Sequence, residues 1–264
     1  MIGAIAGDII GSPFEARPVK TTDFPLLGPG SRFTDDTVLT VATAFSLLTD
    51  GNYAENYRIF GRLYPLAGYG RGFRDWLAAA DPRPYGSWGN GSAMRVSPVG
   101  FLLDDEAEVL SEAERSAAVT HDHPEGIKGA QAVALAVLLA RRGAAPDDLR
   151  RELTARFGYD LDRTAAGIRP GYAYDVSCRG SVPEALVCAL EGAGWEEAVR
   201  LAVSLGGDAD TQAAIAGAVA QARFGGVPAD VDRQVRTMLP EHLLEIVVDF
   251  EARLIDGPDG RNRA

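Results

Sequence analysis

Apolar residues recur with the helical period along most of this 264-residue chain, and runs that alternate apolar with polar residues, as a half-buried strand requires, are scarce. The pattern predicts an all-α globule, with the functional residues carried on its loops. Val38, Leu39, Val41, Ala42, Phe45 and Leu48 mark one broad face that stops at Asp50-Gly51. A short helix is expected over 107–119. A longer one follows Pro124 and ends at Arg141-Arg142-Gly143, where the basic side chains suit the negative end of the helix dipole. Pro183 is placed at the first turn of a helix over 183–191 that Gly192 and Gly194 stop, and an amphipathic helix over 196–205 leads into Gly206-Gly207. In 211–222 the residues Ala213, Ala214, Ala216, Gly217, Ala218 and Ala220 permit close approach of neighbouring backbones, so this helix should be central and buried. Helices near 229–238 and 240–254 complete the pattern. Loops are expected at 25–30, 52–72, 81–91, 143–146 and 158–176, and 256–264 reads as a frayed tail. No stretch has the composition of a linker, so 1–255 is read as one domain.

Composition removes several classes of function. With 37 acidic against 26 basic residues the net charge is −11, which argues against general binding to nucleic acid or to an anionic membrane. A small anionic ligand stays possible, because it needs only a local nest of amides and a cation. Cys178 and Cys188 are the two cysteines, and they read as reduced, partly buried thiols with no zinc spacing. The start MIGAIAGDIIGSPFE has neither the basic end nor the long apolar core of a secretion signal, and no apolar run is long enough to span a bilayer. A cytoplasmic monomer is the expectation.

Two clusters lie far apart in the chain, Thr34-Asp35-Asp36 and Asp208-Ala209-Asp210-Thr211, and each opens a helical apolar run. Either one alone is explained by capping, since Asp and Thr oxygens accept from the first free amides of a helix. A cap needs one acid, however, and the others must repel. Carboxylate and hydroxyl oxygens are the ligands a hard divalent cation prefers, so the two clusters together read as one split site.

The blocks around these clusters carry a resemblance. GAIAGDIIGSPFE at 3–15, FTDDTVLT at 33–40, WGNGSAMRVSPVG at 88–100, THDHPEGIKGAQA at 120–132 and LGGDADTQAAIAGAVA at 205–220 resemble, in order, the blocks of the ADP-ribosylglycohydrolase family. That family includes the dinitrogenase reductase-activating glycohydrolase and the ADP-ribosyl-arginine and ADP-ribosyl-serine hydrolases. SCRGSVPEAL at 177–186 resembles a further block, so the likeness covers Met1 to about Arg223.

The resemblance implies a single orthogonal helical fold and a hydrolase that cuts the glycosidic bond between ADP-ribose and an acceptor. It makes Thr34, Asp35, Asp36, Asp208, Asp210 and Thr211 the ligands of two divalent ions, and all-oxygen ligation suits magnesium or manganese. An oxocarbenium-like transition state calls for a carboxylate that activates water. Glu15 is the candidate, from outside the ligand set, with Asp35 or Asp36 as the alternatives. Asp8 is expected to position the metal loop. Ser87, Trp88, Gly89, Asn90, Gly91 and Ser92 look like a diphosphate cradle, followed by a helix that begins at Ala93-Met94-Arg95. Trp88 either packs on a sugar or base or is a partly buried structural residue. His121 is expected to touch ribose or phosphate, and His123 to start a helix. The implied substrate is an ADP-ribosylated protein or small molecule, and the product ADP-ribose. Two other readings stay open: a two-metal nucleotide pyrophosphohydrolase, and a non-catalytic relative that only binds ADP-ribose or serves a structural role.

Overall fold

A helix built mostly of alanine and glycine lets its neighbours approach more closely than one with larger side chains, and this chain is arranged around such a helix. In the computed structural model, which describes residues 1–256, it spans Ala209–Phe224 and is buried at every position from Ala209 to Ala220. In chain order the helices are α1 (Ile2–Glu15), α2 (Asp35–Leu48), α3 (Tyr53–Leu63), α4 (Arg71–Ala78), α5 (Gly91–Met94), α6 (Ser97–Leu102), α7 (Glu106–Ala118) and α8 (Pro124–Arg141). They continue as α9 (Pro146–Phe157), α10 (Ala165–Ile168), α11 (Cys178–Glu191), α12 (Trp195–Ser204), α13 (Ala209–Phe224), α14 (Ala229–Thr237) and α15 (Glu241–Asp256). The described residues form no sheet; one isolated bridge joins Gly89 to Ser177. The chain is an all-α single domain, as its periodicity predicts. The frayed tail expected at 256–264 lies, from residue 257 on, outside the described residues.

α13 packs against α1, α8, α11 and α12. The tightest of these contacts is with α1. Gly3, Gly7 and Gly11 recur every four residues and so share one face. A Cβ built on Gly7 would lie 2.0 Å from the Ala213 carbonyl oxygen, and one on Gly11 would lie 2.4 Å from that of Ala209. The Gly3 amide donates to Gln221 Oε1 at 2.7 Å, fixing the register. The opposite side of α1 buries Ile5 and Ile9 completely, and Ile10, nearer the glycine face, is equally buried.

α1 also contains Pro13, whose missing N–H would leave the Ile9 carbonyl without its helical donor. Ser12 Oγ donates to that carbonyl at 3.0 Å and accepts from the Arg32 amide at 3.1 Å. Glycines and a proline hide this helix from a reading based on apolar period. α3, α4 and α9 likewise occupy segments where no helix was expected. α3 falls within 52–72 and α4 starts at its end, and the Asn52 side chain starts α3 by accepting from the Glu55 amide at 3.3 Å. α11 begins at Cys178 and carries Pro183 inside it, so the expected start at Pro183 is corrected. Ser177 sets the earlier start, because its side chain accepts from the Gly180 amide at 3.0 Å and its backbone is held by the bridge to Gly89.

Candidate active site

Asp8 is fully buried on α1, and its carboxylate grips the first turn of α2 from the side. It accepts from the Thr34 amide at 2.9 Å, Thr34 Oγ1 at 2.7 Å, the Thr37 amide at 3.1 Å and the Thr37 hydroxyl. Thr34 is the N-cap of α2, accepting from the Asp36 amide. The capping reading therefore holds at this end. At the other end it fails: Asp208 occupies the N-cap position of α13, yet its side chain makes no cap hydrogen bond. The Asp208 Oδ2 instead accepts from Asn90 Nδ2 at 2.7 Å.

α13 and α1 bring the two distant clusters together. Thr211 Oγ1 donates to Asp36 Oδ2 at 3.2 Å across 175 positions of sequence. Asp8, Asp36 and Asp210 each offer a carboxylate oxygen within 4.8 Å of the others, and Glu15, Asp208 and Asp210 form a second such set, with Asp210 common to both. The site thus rests on one helix face and the starts of two more, not on loops alone. Glu15 ends α1 beside the second set, closer than a place outside the ligands would suggest, and Tyr174 donates to its Oε1 at 3.2 Å. Asp35 belongs to neither set; its amide donates to the Ala67 carbonyl at 2.9 Å, and its carboxylate lies beside Gly68, whose φ of 112° suits glycine.

This concentration of charge is not neutralised by ion pairs: among the described residues none involves Asp8, Glu15, Asp35, Asp36, Asp208 or Asp210. Burial raises the Asp8 carboxyl to about 6 despite its donors. Burial and then the charges of Asp8, Asp208 and Glu15 raise Asp35 to about 7. Asp36 and Asp210 are raised well above the usual range, by burial first and then by neighbouring carboxylates. Asp36 Oδ1 is buried with no hydrogen-bond partner. A cation satisfies that oxygen and the accumulated charge together, so the residues present fit a divalent metal.

Glu15, Asp35, Asp36, Asp208 and Asp210 line a cleft of about 630 Å³, a size suited to a nucleotide-like ligand. Ser87, Trp88, Gly89, Asn90, Gly91 and His121 line the same cleft. Three contacts fix this loop: the Asn90 amide donates to the Val176 carbonyl at 2.8 Å, the Cys178 amide to that of Trp88 at 2.9 Å, and Asn90 Nδ2 also reaches Ser181 Oγ at 3.2 Å. Ser92 is not part of the wall. It is fully buried and its hydroxyl donates to the Gly126 carbonyl at 2.7 Å, so its side chain holds the loop to α8 instead of facing a ligand. The helix expected from Ala93-Met94-Arg95 is corrected to the single turn α5, which starts at Gly91 and ends before Arg95. Its dipole is small, because it is one turn long. Trp88 lines the cleft at 54% exposure, its ring centre 6.4 Å from that of His123. His123 caps α8, accepting from the Glu125 amide at 3.1 Å. The cysteines are free and buried, with Cys178 pushed up to about 12 by burial.

Arg95, Tyr174 and Asp175 also line the cleft. Tyr174 and Asp175 lie in an irregular segment with no motif of their own, and only the fold brings them to Glu15 and to the cradle.

An all-α domain with a carboxylate-rich cleft at the starts of two helices is the class of protein defined so far. The ADP-ribosylglycohydrolase family model matches residues 1–259, and the chain belongs to that family. It is 28% identical to the ADP-ribosylhydrolase ARH3 of Danio rerio over 301 residues, covering 85% of this chain and 81% of the relative. Against the human ARH3 the figures are 28% over 305 residues, covering 85% and 84%. The ADP-ribosylarginine hydrolase Tri1 of Pseudomonas putida is 26% identical over 270 residues, covering 86% and 71%. A solved structure described as an ADP-ribosylglycohydrolase-related protein complex superposes with a TM-score of 0.72 at 28% identity, covering 96% of this chain and 95% of that one.

Proposed function

We propose that this protein is a metal-dependent hydrolase that releases ADP-ribose from an acceptor, a protein side chain being the favoured one. The observation that carries the reading is the pair of carboxylate sets that share Asp210. Two sets joined at one residue suit a pair of magnesium or manganese ions. Thr34, Asp35, Asp36, Asp208, Asp210 and Thr211 would supply the oxygens, with Asp8 and Glu15 close enough to join them. Such ions, when bound, would neutralise the cluster and orient the hydroxyls of the sugar.

The chain's own residues divide the remaining work. Ser87, Trp88, Gly89, Asn90 and Gly91, with His121, hold the diphosphate end and so place the reacting sugar over the acids. A water then attacks the anomeric carbon and gives its proton to a carboxylate; the acceptor leaves with the bonding pair and takes a proton in turn. Glu15 serves as that carboxylate, because its position at the end of α1 leaves it partly exposed in the cleft while Asp36 and Asp210, which also line it, are buried.

Incubation with Arg-, Ser- and nucleic-acid-linked ADP-ribose, with and without a chelator, tests the reading. Metal-dependent release of intact ADP-ribose from one substrate is expected. AMP with ribose phosphate would make the protein a pyrophosphohydrolase instead, and turnover unchanged after exhaustive chelation would end the metal mechanism.

A further inference from the structure

Beneath the cradle lies a buried cation that the chemistry above does not use. Arg95 is fully buried, with its guanidinium carbon 4.2 Å from the centre of the Tyr57 ring. Its Nη2 donates to the Ser116 carbonyl at 2.8 Å and to Thr120 Oγ1 at 2.9 Å, while Nε and Nη1 have no partner. Thr120 is also completely buried, and its Oγ1 lies 2.7 Å from His121 Nδ1.

This chain of contacts determines where the imidazole proton sits. A guanidinium has donors only, so Thr120 Oγ1 accepts from Arg95. The Thr120 hydroxyl proton then has one acceptor in reach, His121 Nδ1. Were Nδ1 protonated, it too would donate to Oγ1, and the Thr120 O–H would be buried with no acceptor, an arrangement that folded proteins avoid. Nδ1 is therefore the bare nitrogen and Nε2 carries the proton. Burial first, and then the Arg95 charge, hold the ring well below its usual pKa, so it is neutral. Nε2 has no hydrogen-bond partner among the described residues and faces the cradle: a Cβ on Gly91 would lie 3.1 Å from it, and one on Gly89 3.7 Å.

We propose that Arg95 and Thr120 are positioning residues that lock His121 as a neutral Nε2–H donor aimed into the cleft, at a phosphate oxygen or hydroxyl of the ligand. The identity of that ligand as ADP-ribose rests on the function proposed above; the tautomer does not.

Long-range proton–nitrogen correlation spectra of isotope-labelled, ligand-free protein at neutral pH read the tautomer directly. The chain has three histidines, and His121→Gln identifies the signals of residue 121. Wild type and Thr120→Ser, which keeps the hydroxyl, are expected to show the Nε2–H pattern. Thr120→Val keeps the shape but removes the hydroxyl, and is expected to populate Nδ1–H. Calorimetry should show ADP-ribose affinity falling about five- to tenfold in Thr120→Val, the size of one lost neutral hydrogen bond, and holding in Thr120→Ser. An Nδ1–H or imidazolium pattern in wild type overturns the proposal. So does a Thr120→Val protein in which the tautomer is unchanged, or in which it changes while affinity does not. If wild type binds no ADP-ribose at all, the functional reading fails, and the spectra still decide the tautomer.

Discussion

The contact between α1 and α13 can be tested by adding one methyl group. In Gly7→Ala the new Cβ would sit 2.0 Å from the Ala213 carbonyl oxygen, 2.4 Å from its carbon and 2.7 Å from the Ala214 nitrogen. All three are backbone atoms of a helix buried on every side, so no side chain can swing away. Restoring ordinary contact, which begins near 3.4 Å, requires α1 and α13 to separate locally by about 1.4 Å. Overpacking of a well-filled core costs about 1–3 kcal/mol, and a rigid backbone partner puts this substitution at the upper end. At about 2–4 °C per kcal/mol for a domain of this size, the melting temperature should fall by roughly 4–12 °C. The next residue is Asp8, whose grip on Thr34 and Thr37 lies within 3.1 Å, so the same shift loosens the acidic cluster. Thermal unfolding followed by circular dichroism, with and without manganese and ADP-ribose, measures both effects. Gly226→Ala is the control, because a Cβ there meets nothing within 4 Å; it should stay within about 0.5 kcal/mol of wild type. A Gly7→Ala protein that melts with wild type and keeps its full response to metal would refute the packing argument.

Saturating ADP-ribose with metal should stabilise the protein by about 2.7 kcal/mol at a hundredfold excess over its dissociation constant, and AMP by less; no thermal shift at any metal concentration would mean that the cleft is misassigned. Glu15→Gln should lower single-turnover rates by about 10² to 10⁴ while affecting ADP-ribose affinity little, whereas Asp210→Asn should weaken metal and ADP-ribose together; a large loss of metal from Glu15→Gln would make Glu15 a ligand first. His121 is held neutral, so below its unfolded pKa of about 6.5 the unfolded chain takes up a proton that the folded one refuses, and stability is lost as pH falls. The stability difference between wild type and His121→Asn, measured by urea titration, should be flat above about pH 6.5 and then shift toward the variant by up to about 1.4 kcal/mol per pH unit below it. A difference that stays constant would contradict a neutral ring.

What the sequence revealed and what it hid follow from the range of the forces involved. Asp35, Asp36, Asp208 and Asp210 stand out because several acids crowd one helix start, where a cap would use one. The central place of α13 is legible in its own alanines. α1 is not, since Gly3, Gly7, Gly11 and Pro13 each count against a helix until α13 is present to fill the bare face and Ser12 to cover the open carbonyl. Ser92 follows the cradle in sequence but turns inward, because Gly126 lies beneath it. Arg95 offers no local signal either; its meaning depends on Tyr57 and Thr120, brought to it by α3 and by the end of α7.

The register bond from Gly3 to Gln221 spans 218 positions. A ribosome adding about 5–20 residues per second takes roughly 10–40 s to cover that distance. Through that interval Ile5, Ile9 and Ile10 have been made while the helix that receives α1 has not. α1 is thus made long before it can find its place, and the nascent chain must keep an apolar segment from wrong partners until α13 exists.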